Sequence, residues 1–454
     1  MPVAGCFNPT DTSGTGDDAG STTNDATGMS GPMSTVGSES MTASTASTTM
    51  TADDSSTGSE SAGPGTDPTT QGSGTDSGTD DGTTGPTVAC GDGLFADDAP
   101  PLGNAELVAT LTNAFAVTIV DADDDGLSDL FVGDLGDANT IVAGVYFVRG
   151  TGGGAFAAPV KLPGGAFVTF AVAAGAISDD AVDIAAMGAF PTGPKDFVSV
   201  VYVWRGNGDG TFASPTSLTG ASTQDVALFN LDDNRRLDLI GSGGSGAAVS
   251  LSSAAEAFDD TEVYGGTAAQ EAVAGTDLDG DGDGDIVYLT NTGVAVLLGD
   301  GTGAFGDATV FDLELNGPAD IAVGDFDGDG NGDVAAGLAD SVFILPGNGD
   351  GELGEPVEAI AGSAINAIAA TDFDGDGCTD LAATEPSFAT VVTRMGRDSF
   401  AFVESTPFAI AATGAPADVA AGDLDGDEIA DLAVVVSNGN AAAGGEVLVL
   451  LSGG

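Results

Sequence analysis

One feature limits this chain's fold more than any other: an aspartate followed by a short strand-forming run recurs seven times at near-constant spacing. The copies are Asp129-Leu-Phe-Val, Asp183-Ile-Ala-Ala, Asp238-Leu-Ile, Asp285-Ile-Val-Tyr, Asp333-Val-Ala-Ala, Asp380-Leu-Ala-Ala and Asp431-Leu-Ala-Val-Val, spaced 54, 55, 47, 48, 47 and 51 residues apart. A period of this size identifies a repeat architecture. Each copy reads as four short strands, most clearly in the fifth. There Ala319 to Asp325, Val334 to Gly337, Val342 to Leu345 and Leu353 to about Ile360 form the runs, and Gly347-Asn-Gly-Asp-Gly351 is the turn before the last. Related turns precede Phe156, Phe212 and Phe305. The expected fold class is all-β: a seven-bladed β-propeller of four-stranded antiparallel blades, in which closure of the ring leaves only short edges.

The ends of the repeat region suggest how the ring closes. The last repeat stops after a third strand, Val447 to Leu451. The first folded segment, from Gly91-Asp-Gly-Leu-Phe95 through Leu107-Val-Ala-Thr-Leu111, reads as a turn and a fourth strand with no three before it. The N-terminal strand is therefore expected to complete the seventh blade.

Ahead of five of the seven aspartates lies a nine-residue loop of the form D-x-D-x-D-x-x-x-D. The sets are Asp121, Asp123, Asp125, Asp129; Asp277, Asp279, Asp281, Asp285; Asp325, Asp327, Asp329, Asp333; Asp372, Asp374, Asp376, Asp380; and Asp423, Asp425, Asp427, Asp431. Alternate carboxylates on a tight loop converge, and at ~4 Å each like-charged pair costs about 4 kcal/mol at an effective dielectric of about 20. A cation reverses that sign. Calcium, which takes six to eight hard oxygen ligands at flexible angles, suits such a loop. Position seven (Leu127, Asp283, Asn331, Cys378 and Ile429) is expected to offer its backbone carbonyl, so its side chain is free to vary.

The EF-hand is excluded, because the position of its twelfth-residue glutamate holds Val132, Tyr288, Ala336, Ala383 or Val434. Tandem nonapeptide calcium repeats are excluded by the wide spacing, and magnesium seldom takes an all-protein cage. Two loops are degenerate. The second repeat has Gly175, Ile177, Asp179 and Asp183 at the ligand positions and is expected to hold no ion. The third has Asn230, Asp232, Asn234 and Asp238, with Arg235 and Arg236 intruding, and is expected to hold one weakly or not at all.

Asp325-Phe-Asp-Gly-Asp-Gly-Asn-Gly-Asp333 and its siblings resemble the FG-GAP/VCBS repeats of integrin α-subunit propellers and of many bacterial surface proteins. The resemblance spans roughly residues 95–454. It implies a seven-bladed propeller with about five Ca2+ sites in the loops between first and second strands, and it leaves the ligand open.

Composition narrows the function. Eight Lys and Arg against 70 Asp and Glu give a formal charge of −62, which argues against nucleic acid and anionic membrane surfaces. With no His, a His-based catalytic triad or the usual zinc site cannot form. The chain is therefore expected not to be an enzyme. Three Cys (Cys6, Cys90 and Cys378) make no disulfide framework and leave room for a single bridge, for which Cys90–Cys378 is the candidate pair. Residues 7–89 are rich in Ser, Thr, Gly and Asp and poor in branched aliphatics, so this segment is expected to be a disordered tether. Before it, Val3-Ala4-Gly5-Cys6 (within residues 1–6) resembles the lipobox of bacterial lipoproteins, which implies lipidation at Cys6 and an apolar region upstream. The propeller proper is expected over 90–454.

The expectation that follows is a monomeric recognition or adhesion module at the cell surface. Its partner would be an extracellular protein or a glycan, and it would meet the membrane only through a lipid anchor. The alternatives are a lyase-like propeller acting on polysaccharides and a passive spacer. The longer loops 133–139, 190–196 and 437–446, on the neighbouring blades one, two and seven, are the expected partner-binding rim. Tyr146, Tyr202, Trp204, Tyr264 and Tyr288 read as blade packing, and Lys195 as solvent-exposed.

Overall fold

The structure, a computed structural model, describes residues 102–452 apart from residues 137–142, 165–166, 178–180, 192–196, 219–223, 245, 254–256, 267–268, 314–316, 363, 375–376, 398–399, 401, 405–406, 411–413 and 439–443. Cys6, Cys90 and the expected tether lie outside these residues, as do Asp376, Lys195 and much of the three long loops.

Seven antiparallel sheets form a seven-bladed propeller, and the described residues contain no α-helix. Each recurring aspartate opens the second strand of its blade: Asp129–Asp134, Asp183–Pro191, Asp238–Gly243, Asp285–Thr290, Asp333–Leu338, Asp380–Glu385 and Asp431–Ser437. The second strands of blades one, three, four, five and six are buried at every residue. A strand covered on both faces by neighbouring blades has no solvent side, so its sequence is a continuous apolar run rather than an alternating one.

The fifth blade runs Pro318–Gly324, Asp333–Leu338, Ser341–Leu345 and Val357–Ala361. The fourth strand starts later than the sequence suggests. Leu353 instead forms an isolated bridge with Gly347 that closes the preceding turn, and the same bridge recurs as Gly206–Phe212, Ser252–Phe258 and Gly299–Phe305.

The seventh blade is completed by Glu106–Leu111, which pairs antiparallel with Gly445–Leu450. The core has the same circularity. Its seven apolar clusters each join two adjacent blades, and one of them packs Val117 and Val132 of blade one against Ala109, Ala420 and Val435 of blade seven across the seam between them. Seven blades in an open row would meet at only six faces. The seventh cluster shows that the ring is shut and that both ends of the repeat region are held in one sheet.

Candidate metal centres

The loops are built around the aspartate that opens the second strand. In blade five, Asp333 Oδ2 accepts the Phe326 N–H (2.8 Å), and Oδ1 accepts the Gly347 N–H beyond the third strand (2.7 Å). The same two bonds recur with Asp129 (Ala122, Gly150), Asp238 (Leu231, Ser252), Asp285 (Leu278, Gly299), Asp380 (Phe373, Gly396) and Asp431 (Leu424, Ser452). One buried carboxylate thus ties the acidic loop to the neighbouring turn, a role that does not depend on an ion.

Around this anchor the loop brings carboxylates together. Positions one, three and nine converge in five blades: Asp121, Asp123, Asp129; Asp277, Asp279, Asp285; Asp325, Asp327, Asp333; Asp372, Asp374, Asp380; and Asp423, Asp425, Asp431. Within each group one oxygen per residue lies within 4.8 Å of the others. In the four loops where it is described, position five stands outside these groups. Asp125, Asp281, Asp329 and Asp427 instead accept the N–H of Leu127, Asp283, Asn331 and Ile429 at position seven. Positions four and six take left-handed backbone, with Gly328 at φ 73° and Gly330 at φ 88°, which a glycine adopts without strain. Glu428 holds the same conformation in blade seven at φ 70°.

The donor set fits a hard cation. It consists of carboxylate oxygens, and Asp123 Oδ1 is buried with no hydrogen-bond partner. Burial pushes the anchors upward, Asp129, Asp285 and Asp431 to about 6 and Asp333 to about 7. Burial and then the Asp374 charge push Asp380 to about 8. A group that resists ionisation beside other carboxylates is one a cation would bring back to its charged form. Cys378, at position seven in blade six, is buried and disulfide-bonded.

The degenerate loops diverge. In blade two Ile177 is fully buried where a carboxylate would be needed, and Asp183 pairs instead with Arg205 Nη1 at 2.8 Å. Blade three keeps the loop shape without glycine, with Asp233 at φ 56° and Arg235 at φ 68°. Its Asn230 Oδ1 is buried without a partner.

A second family of aspartates escapes the loop motif. Asp225, Asp320 and Asp418 lie on the first strands of blades three, five and seven and are fully buried. Each reaches across to the next blade's first strand: Asp225 accepts the Val273 N–H (3.2 Å), Asp320 the Ile368 N–H (2.8 Å) and Asp418 the Val117 N–H (2.8 Å). Each also accepts the N–H of its own next residue. The signal was present as Asp225-Val-Ala, Asp320-Ile-Ala and Asp418-Val-Ala. These acids do not serve surface solubility; they bind blade to blade.

Trp204 is buried, lies stacked against Phe167 at 5.7 Å between ring centroids, and donates its indole N–H to Pro163 O. Tyr288 is likewise buried, and Tyr146, Tyr202 and Tyr264 pack against the interblade clusters.

A family model for FG-GAP-like repeats matches residues 277–336 and 372–434, covering four of the seven blades' worth of loop and strand only in part. The chain therefore carries FG-GAP-like repeats in a seven-bladed propeller. No curated protein matches it. Among solved structures, an Agrocybe aegerita lectin that recognises non-reducing terminal N-acetylglucosamine is similar at 19% identity over 66% of this chain and 81% of that one, with a TM-score of 0.47. BBS1N, solved in complex with ARL6DN, matches at 14% identity over 78% and 97%, with a TM-score of 0.49. The Photorhabdus luminescens Tc holotoxin pore matches at 14% identity over 71% of this chain and 17% of that one, with a TM-score of 0.35. At these identities and TM-scores none of the three bears on function.

Proposed function

We propose that this protein is a calcium-binding recognition module, held outside the cell by its N-terminal segment and engaging an extracellular protein or glycan without catalysis. The observation that supports it most is the convergence of three carboxylates at equivalent places in five blades. Oxygen-only donors on a loop suit calcium, which tolerates irregular geometry and high coordination. Backbone carbonyls at position seven, together with water, would complete the shell. Calcium on these loops would stiffen the face that carries them, and a rigid scaffold is what presents binding loops. The absence of histidine and the scarcity of Lys and Arg favour binding over polysaccharide cleavage.

The test has two parts. Equilibrium dialysis of the metal-stripped chain against calcium should return up to five ions per chain, with magnesium competing poorly. A glycan array and a panel of extracellular proteins, probed with and without chelator, should then give a calcium-dependent hit. Failure to retain calcium at millimolar concentration would remove the metal reading. Blank screens with calcium retained would favour a passive spacer, and turnover on a polyuronide panel would favour an enzyme.

A further inference from the structure

We propose that arginine is a built-in cation for the acidic loops, replacing the metal outright in blade two and competing with it in blades one and six. For blades one and six this rests on the metal reading above; for blade two it rests on geometry that needs no ion.

The position is specific. Arg149 and Arg205 each immediately precede the residue whose N–H binds the anchor aspartate, Gly150 in blade one and Gly206 in blade two. The same position holds Leu298, Pro346 and Leu451 in blades four, five and seven, none of which carries charge. In blade six it holds Met395, and Arg397, two residues on, reaches the loop instead. Three of the chain's eight Lys and Arg therefore pair with loop aspartates from outside the loop, and two more, Arg235 and Arg236, lie within the third loop itself.

The three differ in how firmly they are held. Arg205 is 15% exposed, pairs with the fully buried Asp183 and lies over the Phe258 ring at 5.4 Å. With Gly175 at loop position one and buried Ile177 at position three, this loop lacks two of the three carboxylates that converge in the other five, and the guanidinium supplies the positive charge permanently. Arg149 is 48% exposed and bridges Asp123 (2.6 Å) and Asp125 (2.8 Å). Arg397 is 19% exposed and pairs with buried Asp374 at 3.0 Å. Asp123 and Asp374 belong to the carboxylate groups of blades one and six. An ion entering either loop must displace a guanidinium or share carboxylates with it, and either route subtracts from its affinity. The five sites thus fall into two classes, tighter in blades four, five and seven and weaker in blades one and six.

Calorimetric titration of the full, metal-stripped chain with calcium tests this alongside its thermal melt. The expected isotherm has three tight and two weaker sites. Arg149→Gln should tighten one weak site by roughly threefold, and Arg149→Lys should leave it weak. Arg205→Gln should add no site and should lower the metal-free melting temperature by several degrees, because it strands a buried carboxylate. Asp183→Asn placed on top should recover part of that loss. Equal sites unmoved by Arg149→Gln would overturn the competition. An unchanged melt for Arg205→Gln would overturn the replacement. If no calcium binds at all, the metal reading and the competition fall together, and the Arg205 pair of variants still decides blade two.

Discussion

Blade five holds two buried aspartates at opposite ends of one hairpin, and they handle the same charge in different ways. Asp333 starts the second strand at the loop end, opposite Gly324, whereas Asp320 sits opposite Gly337 at the other end. Both are fully buried and both accept two backbone N–H groups. Around Asp333 two more carboxylates, Asp325 and Asp327, converge on the same point, next to solvent from which an ion can come. Asp320 is fully buried on its strand; burial first, and the charges of Asp418 and Asp225 after it, push its carboxyl well above the usual range. The loop acid is suited to a cation and the interior acid to keeping its proton. One sequence letter therefore has two physical roles, set by whether solvent ions can reach it.

The comparison can be broken most directly by removing metal. If each tight site is filled at a hundredfold excess over its Kd, it contributes about 2.7 kcal/mol. Chelation should then lower the melting temperature by on the order of ten degrees, as read by calorimetry, while far-ultraviolet circular dichroism stays β-rich below the transition. A next, smaller effect separates the two acids. Asp333→Ala should cost roughly 3–5 kcal/mol in calcium and clearly less in chelator, since it loses an ion as well as two hydrogen bonds. Asp320→Ala should cost roughly 2–3 kcal/mol in both conditions, from stranded N–H groups. Equal calcium dependence of the two variants in urea melts would erase the distinction.

The pH response sharpens it further. Folded-state values raised above 3.8 mean that the native chain holds protons which the unfolded chain releases. That stability is fully present below the unfolded value and is lost as pH rises through the folded one. Metal-stripped protein should therefore weaken between pH 5 and pH 8, as Asp333 (about 7) and Asp380 (about 8) ionise. Calcium should flatten this part of the slope, and Asp320→Asn should remove a part that calcium leaves in place. The smallest effect concerns loop shape alone: Glu428→Gly relieves a left-handed non-glycine residue and should stabilise the chain by up to about 1 kcal/mol. It should leave the blade-to-blade bond from Asp418 to Val117 intact.

Much of this molecule is written locally. The seven-fold recurrence of aspartate plus apolar run fixed the number of blades, since each repeat encodes one sheet with an uncovered face. The surplus strand before residue 111 and the missing strand after residue 450 matched, and so announced the closure of the ring. The loop positions were equally legible, because ligands on one nine-residue turn are neighbours in sequence. What only tertiary structure decided are contacts between distant segments: Asp418 to Val117, 301 residues apart; Asp320 to Ile368, 48 apart; and Arg205 to Asp183, 22 apart across two strands. The physical reason is that a carboxylate's chemistry depends on which donors and charges surround it and on whether water reaches it. Spacing determines those surroundings within a turn, and the packing of one blade on the next determines them everywhere else.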